Sequence, residues 1–314
     1  MVGSAMQGAD TGPPPGFPIC AGSVNDHVFR RCPVRRRHTV ADDQTVRSGT
    51  DGHGRTVQHI PRQDHLGKLI LKGALDHPLQ GPRAEHRVIA FVTMAILFVI
   101  FLFLAPAWGS KIYEQDHIFR YYGLINSRKQ VFYIFKGLAI GFGFTWLLFT
   151  TEYFLGWVTF QSPTTSFSRL IFEGALSGIG VGFAEELFFR GWLLYELERD
   201  YSWNTSGFID AIAFAVLHFI KPLSEIIRTI VTFPALVLLG YILVVAKQAH
   251  RNLLGICIGL HGGLVWAYYI INVGEMVRYN DRVPVWVTGI DNNPIAGVMG
   301  LIFLSGLLLV IKDY

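Results

Sequence analysis

The sequence predicts an all-α, polytopic membrane bundle of about seven hydrophobic helices behind a disordered, basic N-terminal tail. Three observations carry that prediction. The chain is 51% hydrophobic and only 16% charged. Its apolar residues crowd into the part after Val88. Within that part they fall into separate runs, several of bilayer length, and about 20 apolar residues suffice to cross a hydrocarbon core of about 30 Å as a helix.

The first 82 residues read as the tail and 83–314 as the membrane domain. Gly, Pro, Asp, Gln, His and Arg dominate the beginning, with too few aromatics to bury a core. Twelve of the 27 Lys and Arg residues lie before Val88, including the run Arg30, Arg31, Arg35, Arg36 and Arg37. Such a tail suits the surface of anionic lipid better than nucleic acid, and no nucleic-acid partner is predicted. Leu66 to Leu75 reads as a short amphipathic turn on the membrane surface. The N-terminus lacks the charged, apolar and small-residue zones of a signal peptide. Cys20, Cys32 and Cys257 are too few and too scattered for a disulfide framework or a Cys-x-x-Cys motif.

Val88 to Trp108 is the first span, ending at Pro106 and an interfacial tryptophan. Val131 to Phe149 is the second. Leu170 to Leu187 is the third, with a helix that can run on through Gly191 to Leu197, which puts Glu185 in mid-helix. Phe208 to Ile220 is too short to cross a bilayer and is expected to be enclosed by protein. Ile226 to Ala246 and Leu253 to Ile271 are full spans, separated by a basic loop, Lys247 to Arg251, where His250 needs only a solvated role. Ile295 to Ile311 is the last, after the turn-forming Asp291-Asn-Asn-Pro294.

The chemistry concentrates in Gly182-Phe-Ala-Glu-Glu-Leu-Phe-Phe-Arg-Gly191. Ionisable side chains at membrane depth are costly and mark functional sites. Gly174, Gly178 and Gly182 recur every four residues and make a small-residue stripe against which another backbone can pack. Glu186 and Arg190 continue that spacing and have the favourable order for an i,i+4 ion pair, so Glu186 is expected to be a structural clamp. Glu185 is left free to do chemistry. An interfacial charged turn is the competing reading of the same residues.

Histidines decide between them. Eight of the eleven lie before residue 118. Of the remaining three, His218 ends the apolar run Phe214-Ala-Val-Leu-His218, and His261 falls within the Leu253 to Ile271 span. Two imidazoles on different apolar segments, in a chain that also buries Glu185, need partners. A carboxylate can act as general base toward water, and imidazoles can hold that water, stabilise an oxyanion or bind a divalent metal. Glu185, His218 and His261 would make a plausible zinc set, but they lack the local spacing of the zincin motif. Metal-dependent and metal-free mechanisms both stay open. Cys257, one helical turn before His261, reads as an inert apolar filler, and no Gly-x-Ser-x-Gly is present.

Glu185-Glu186-x-x-x-Arg190, then Phe214-x-x-x-His218, then His261 on a later span, resembles the CPBP family of intramembrane peptidases, which contains type II CaaX prenyl endopeptidases and bacteriocin-processing proteins. The resemblance covers about residues 130 to 312. It implies an integral-membrane endopeptidase in which Glu185 activates water, Arg190 is structural with Glu186 and Phe214 in support, and His218 and His261 coordinate the water, a metal or the oxyanion. The family pattern often places Asn four residues after the last His, where this chain has Val265. The implied partners are membrane lipid and a peptide or protein substrate, prenylated or not. A catalytically silent scaffold or immunity-like protein that uses the same groove for binding is the alternative; a transporter would call for internal symmetry that the sequence does not display.

Overall fold

A computed structural model describes residues 84–312, with side chains from residue 92 onward. The predicted tail and the Leu66 to Leu75 turn lie outside the described residues. Helix α1, Ala84–Tyr113, contains the first predicted span and runs seven residues past Pro106 rather than ending there. A proline removes one backbone hydrogen bond, whereas stopping a helix at lipid depth strands several polar groups, so continuation is the cheaper solution. Helix α2, Arg128–Phe154, begins at Ser127, whose side chain accepts from Gln130 N at 3.2 Å in an N-cap.

Helix α3, Phe167–Glu186, passes without interruption into a π-helical stretch, Leu187–Leu193, and then into α4, Leu194–Asp200. The whole rod is 34 residues long, as the possible extension through Gly191 anticipated. Helix α5, Trp203–Leu217, has 15 residues, about 22 Å, and is too short to span. The predicted fifth segment, Ile226 to Ala246, changes helix type along its length: α6, Leu223–Thr229, a 3-10 turn, Ile230–Thr232, and α7, Phe233–Ala249, follow one another. The change falls where Pro234 enters the first turn of α7, the position a proline tolerates best. Helix α8, Gly255–Val273, and helix α9, Val298–Lys312, complete the set.

Five of the described helical stretches are long and apolar enough to cross a membrane, and α5 and α9 are shorter apolar helices. Together they make the seven hydrophobic segments predicted, and the chain is a multi-pass membrane protein. Phe103, Phe135, Phe172 and Leu309 are among many large apolar side chains left exposed on these helices, as expected of surfaces solvated by lipid. The purely helical expectation misses one element. Strands β1, Val158–Phe160, and β2, Val277–Tyr279, pair antiparallel with Thr159 opposite Arg278, in a loop region where three-residue strands leave almost no periodicity to read.

Helix α8 is the packing centre. Its Gly259 and Gly263 meet the backbone of α2 at Ile134 and Leu138, and Gly137 and Gly141 of α2 meet α8 in return. On its other side Gly178 and Gly182 of α3 lie against the backbone at Gly262 and Ile258. A Cβ on Gly141 would stand 2.2 Å from Leu260 O, so only glycine allows this approach. The predicted stripe on α3 thus has a matching partner. Helix α7 packs on α5, where Gly240 lies against Ala211, and this brings the acid and arginine of the next section together.

Candidate active site

Arg190 is completely buried. Its Nη1 donates to Glu186 Oε1 at 3.0 Å, one turn back along the same rod. Its Nη2 donates to Gly240 O of α7 at 2.9 Å. Its Nε lies 3.3 Å from Asp210 Oδ2 of α5, near enough to pair by charge but not aligned for a hydrogen bond. The guanidinium also lies over the Phe214 ring, 4.5 Å from its centroid. One cation thereby ties α3, α5 and α7, and it does so from within the π-helical stretch. Such stretches insert a residue into a helix and often occur at functional sites.

Glu186 has a second partner. Its Oε1 accepts from His261 Nδ1 at 2.8 Å, so α8 joins the same network. Donation through Nδ1 leaves the Nε2 of neutral His261 as the free ring atom. His218, which caps the C-terminus of α5, uses its Nδ1 in the same way, against Phe214 O at 2.7 Å. Both imidazoles are therefore fixed from behind. Their Nε2 atoms face one oxygen, Glu185 Oε2, at 3.9 Å from His218 and 4.0 Å from His261. That oxygen is buried and has no hydrogen-bond partner among the described residues.

The three groups line the wall of a cavity of about 170 Å³, bounded mostly by apolar side chains of α2, α7, α8 and α9. Val265 lines it as well. All six residues singled out in the sequence thus meet: Glu185, His218, His261 and Phe214 on the cavity, and Glu186 and Arg190 behind them. Cys257 donates from Sγ to Leu243 O at 3.2 Å inside the packed core, in keeping with its filler role.

Two expectations are corrected. His250 is buried rather than solvated: its Nδ1 donates to Ala246 O at 2.9 Å and its Nε2 lies 3.1 Å from Lys136 Nζ. Lys247 is likewise buried, and its Nζ donates to Arg190 O at 2.5 Å. Helix α7 runs three residues beyond the predicted span, with Lys247 in its last turn and His250 as its C-cap. Asp210 was missed altogether. An acid within an otherwise apolar helix was the signal that could have found it.

A family model described as type II CAAX prenyl endopeptidase Rce1-like matches residues 167–267. The match covers about a third of the chain, and over that segment the chain is similar to this family. The matched segment contains Glu185, Glu186, Arg190, Asp210, Phe214, His218, Lys247 and His261. Searches of curated proteins and of solved structures each found no match. The α2 and α9 walls of the cavity lie outside the Rce1-like segment.

The donor set has the right chemistry for a divalent metal, two imidazole nitrogens and a carboxylate oxygen. Glu185 Oε2 stands 3.9 and 4.0 Å from the two Nε2 atoms. Tetrahedral zinc ligands at about 2.1 Å lie about 3.4 Å from one another, and among the described residues no group of three or more His, Cys, Asp or Glu side chains is placed to hold a metal ion.

Proposed function

We propose that this protein is an intramembrane endopeptidase that hydrolyses a peptide bond of a CAAX-type substrate, with Glu185 as general base and His218 and His261 as its partners. The single observation that carries the reading is the convergence of two backed imidazoles on one unpartnered carboxylate oxygen in the wall of an apolar cavity. Separations of 3.9 and 4.0 Å are too long for direct hydrogen bonds and suit groups that share one bridging water. In this mechanism Glu185 takes a proton from the water as its oxygen attacks the scissile carbonyl carbon. The imidazoles, fixed through their Nδ1 atoms, accept from the water at Nε2, and an imidazole that is protonated there donates its Nε2–H to the tetrahedral oxygen. Collapse breaks the C–N bond, and the proton on Glu185 passes to the leaving amine. Glu186 and Arg190 do not take part in these transfers; they hold His261 and the rod in register.

Proteolytic activity in detergent or nanodiscs tests this directly. Glu185→Gln keeps the side chain's shape and removes the base, so release of product from a fluorescent, prenylated peptide ending in Cys-aliphatic-aliphatic-X should fall by at least 100-fold while the melting temperature stays unchanged. Near-normal turnover by this variant would end the reading. A metal-free glutamate mechanism also predicts that a chelator leaves the wild-type rate unchanged; inhibition reversed by Zn²⁺ would instead support a metal held by Glu185, His218 and His261. Binding of the peptide without release by the wild type would favour the silent scaffold.

A further inference from the structure

The polar side chains along the cavity are few, and their hydrogen-bond donors are nearly all used within the protein. Thr145 donates to Gly141 O at 3.1 Å, and Tyr268 donates to Asn292 O at 3.3 Å. His218 and His261 engage through Nδ1, as described. One lining residue differs. Asn293 uses its Oδ1 to accept from Ile295 N at 3.3 Å, which leaves its Nδ2 amide as a donor without an acceptor among the described residues.

The backbone that carries Asn293 is closely packed. Gly289, at φ 114°, lies so close that a Cβ there would stand 1.9 Å from Asn293 O. A Cβ on Gly300 would stand 2.0 Å from Pro294 O. Asp291 forms an ion pair with Arg228 of α6. The sequence Asp291-Asn-Asn-Pro294 therefore does more than turn the chain before α9: it places Asn293 in the wall of an apolar cavity. Asn293 also lies beyond the Rce1-like segment, which ends at residue 267.

We propose that Asn293 is a substrate-contacting residue whose amide N–H donates to a backbone carbonyl of the peptide in the cavity. The inference rests on the reading that this cavity takes a peptide. A peptide entering an apolar site gives up the water on its carbonyls, and an unpaired buried carbonyl is costly. The neutral amide of Asn293 is the side-chain donor positioned to meet that need without disturbing the reacting group.

Its capping role is separable by substitution. Asn293→Asp and Asn293→Ser each retain an oxygen that can accept from Ile295 N, because Asp and Ser cap as well as Asn, but the first lacks the amide donor and the second falls short of the cavity. In full-length protein carrying Glu185→Gln, which binds without turnover, the affinity of the fluorescent, farnesylated Cys-aliphatic-aliphatic-X peptide is measured by anisotropy, with melting temperatures alongside. Both variants should bind roughly 3- to 10-fold more weakly at unchanged melting temperature. Unchanged affinity in either variant overturns the inference, as does weakening confined to a variant that also melts earlier, since capping alone explains that. Residual cleavage by Glu185→Gln would sink the hydrolytic mechanism but leave the binding comparison decisive for Asn293. Failure of the Glu185→Gln protein to bind the peptide at all sinks both.

Discussion

The two acids at 185 and 186 show how adjacent identical residues acquire different surroundings. Successive side chains on a helix point about 100° apart, so Glu186 follows the glycine stripe into the interior and Glu185 turns to the cavity. This division was legible in the spacing of Gly178, Gly182, Glu186 and Arg190. The length of the network behind it was not, because Asp210, Gly240 and Lys247 reach Arg190 from other helices. Arg190→Met removes the cation that pairs with both Glu186 and Asp210, and breaking a buried pair from one side costs about 3–5 kcal/mol. Chemical or thermal unfolding in detergent should therefore show a large loss of stability, preceding any specific effect on turnover. For His218 and His261 the expectation is reversed. If both hold one water with Glu185, His218→Ala, His261→Ala and the double variant should lose nearly the same activity. Additive losses confined to stability, measured as turnover per folded molecule, would make them independent core residues.

Among the elements, α8 positions the site because its glycines let α2 and α3 approach on opposite sides. Without a hydrophobic force between helices in lipid, such close backbone packing supplies much of the association. The stripe on α3 was visible as a four-residue recurrence. Its partner was not, since a small-residue face does not state which helix it meets. Gly141→Val should destabilise the bundle by about 1–3 kcal/mol or more, because the new side chain meets the Leu260 carbonyl rather than a flexible neighbour. Gly143→Val, on the same helix with open space at its Cβ position, is the control and should melt near the wild type. Equal effects of the two would mean that α2 and α8 do not approach as described.

At the scale of the whole molecule, the side chains that build the site and its cavity come from residues 144–304. Removal of residues 1–82 is therefore expected to leave peptide release and melting temperature in detergent unchanged, and a loss of either would assign that segment a direct part in folding or catalysis. Hydrophobic run length, glycine periodicity and the Glu-Glu-x-x-x-Arg, Phe-x-x-x-His and His motifs determined, by themselves, a multi-pass bundle and six residues that meet at one place. These are local properties: a run of apolar side chains needs no partner to be recognised, and a helix turns by the same angle wherever it lies. What only the tertiary structure decided is everything that depends on two distant segments touching. The burial of Lys247 and His250, the pairing of Asp210 with Arg190, the β1–β2 pairing and the placement of Asn293 in the cavity wall all arise from contacts across dozens of residues. No local periodicity encodes them, because the free energy that selects them comes from desolvated polar groups finding partners on other elements.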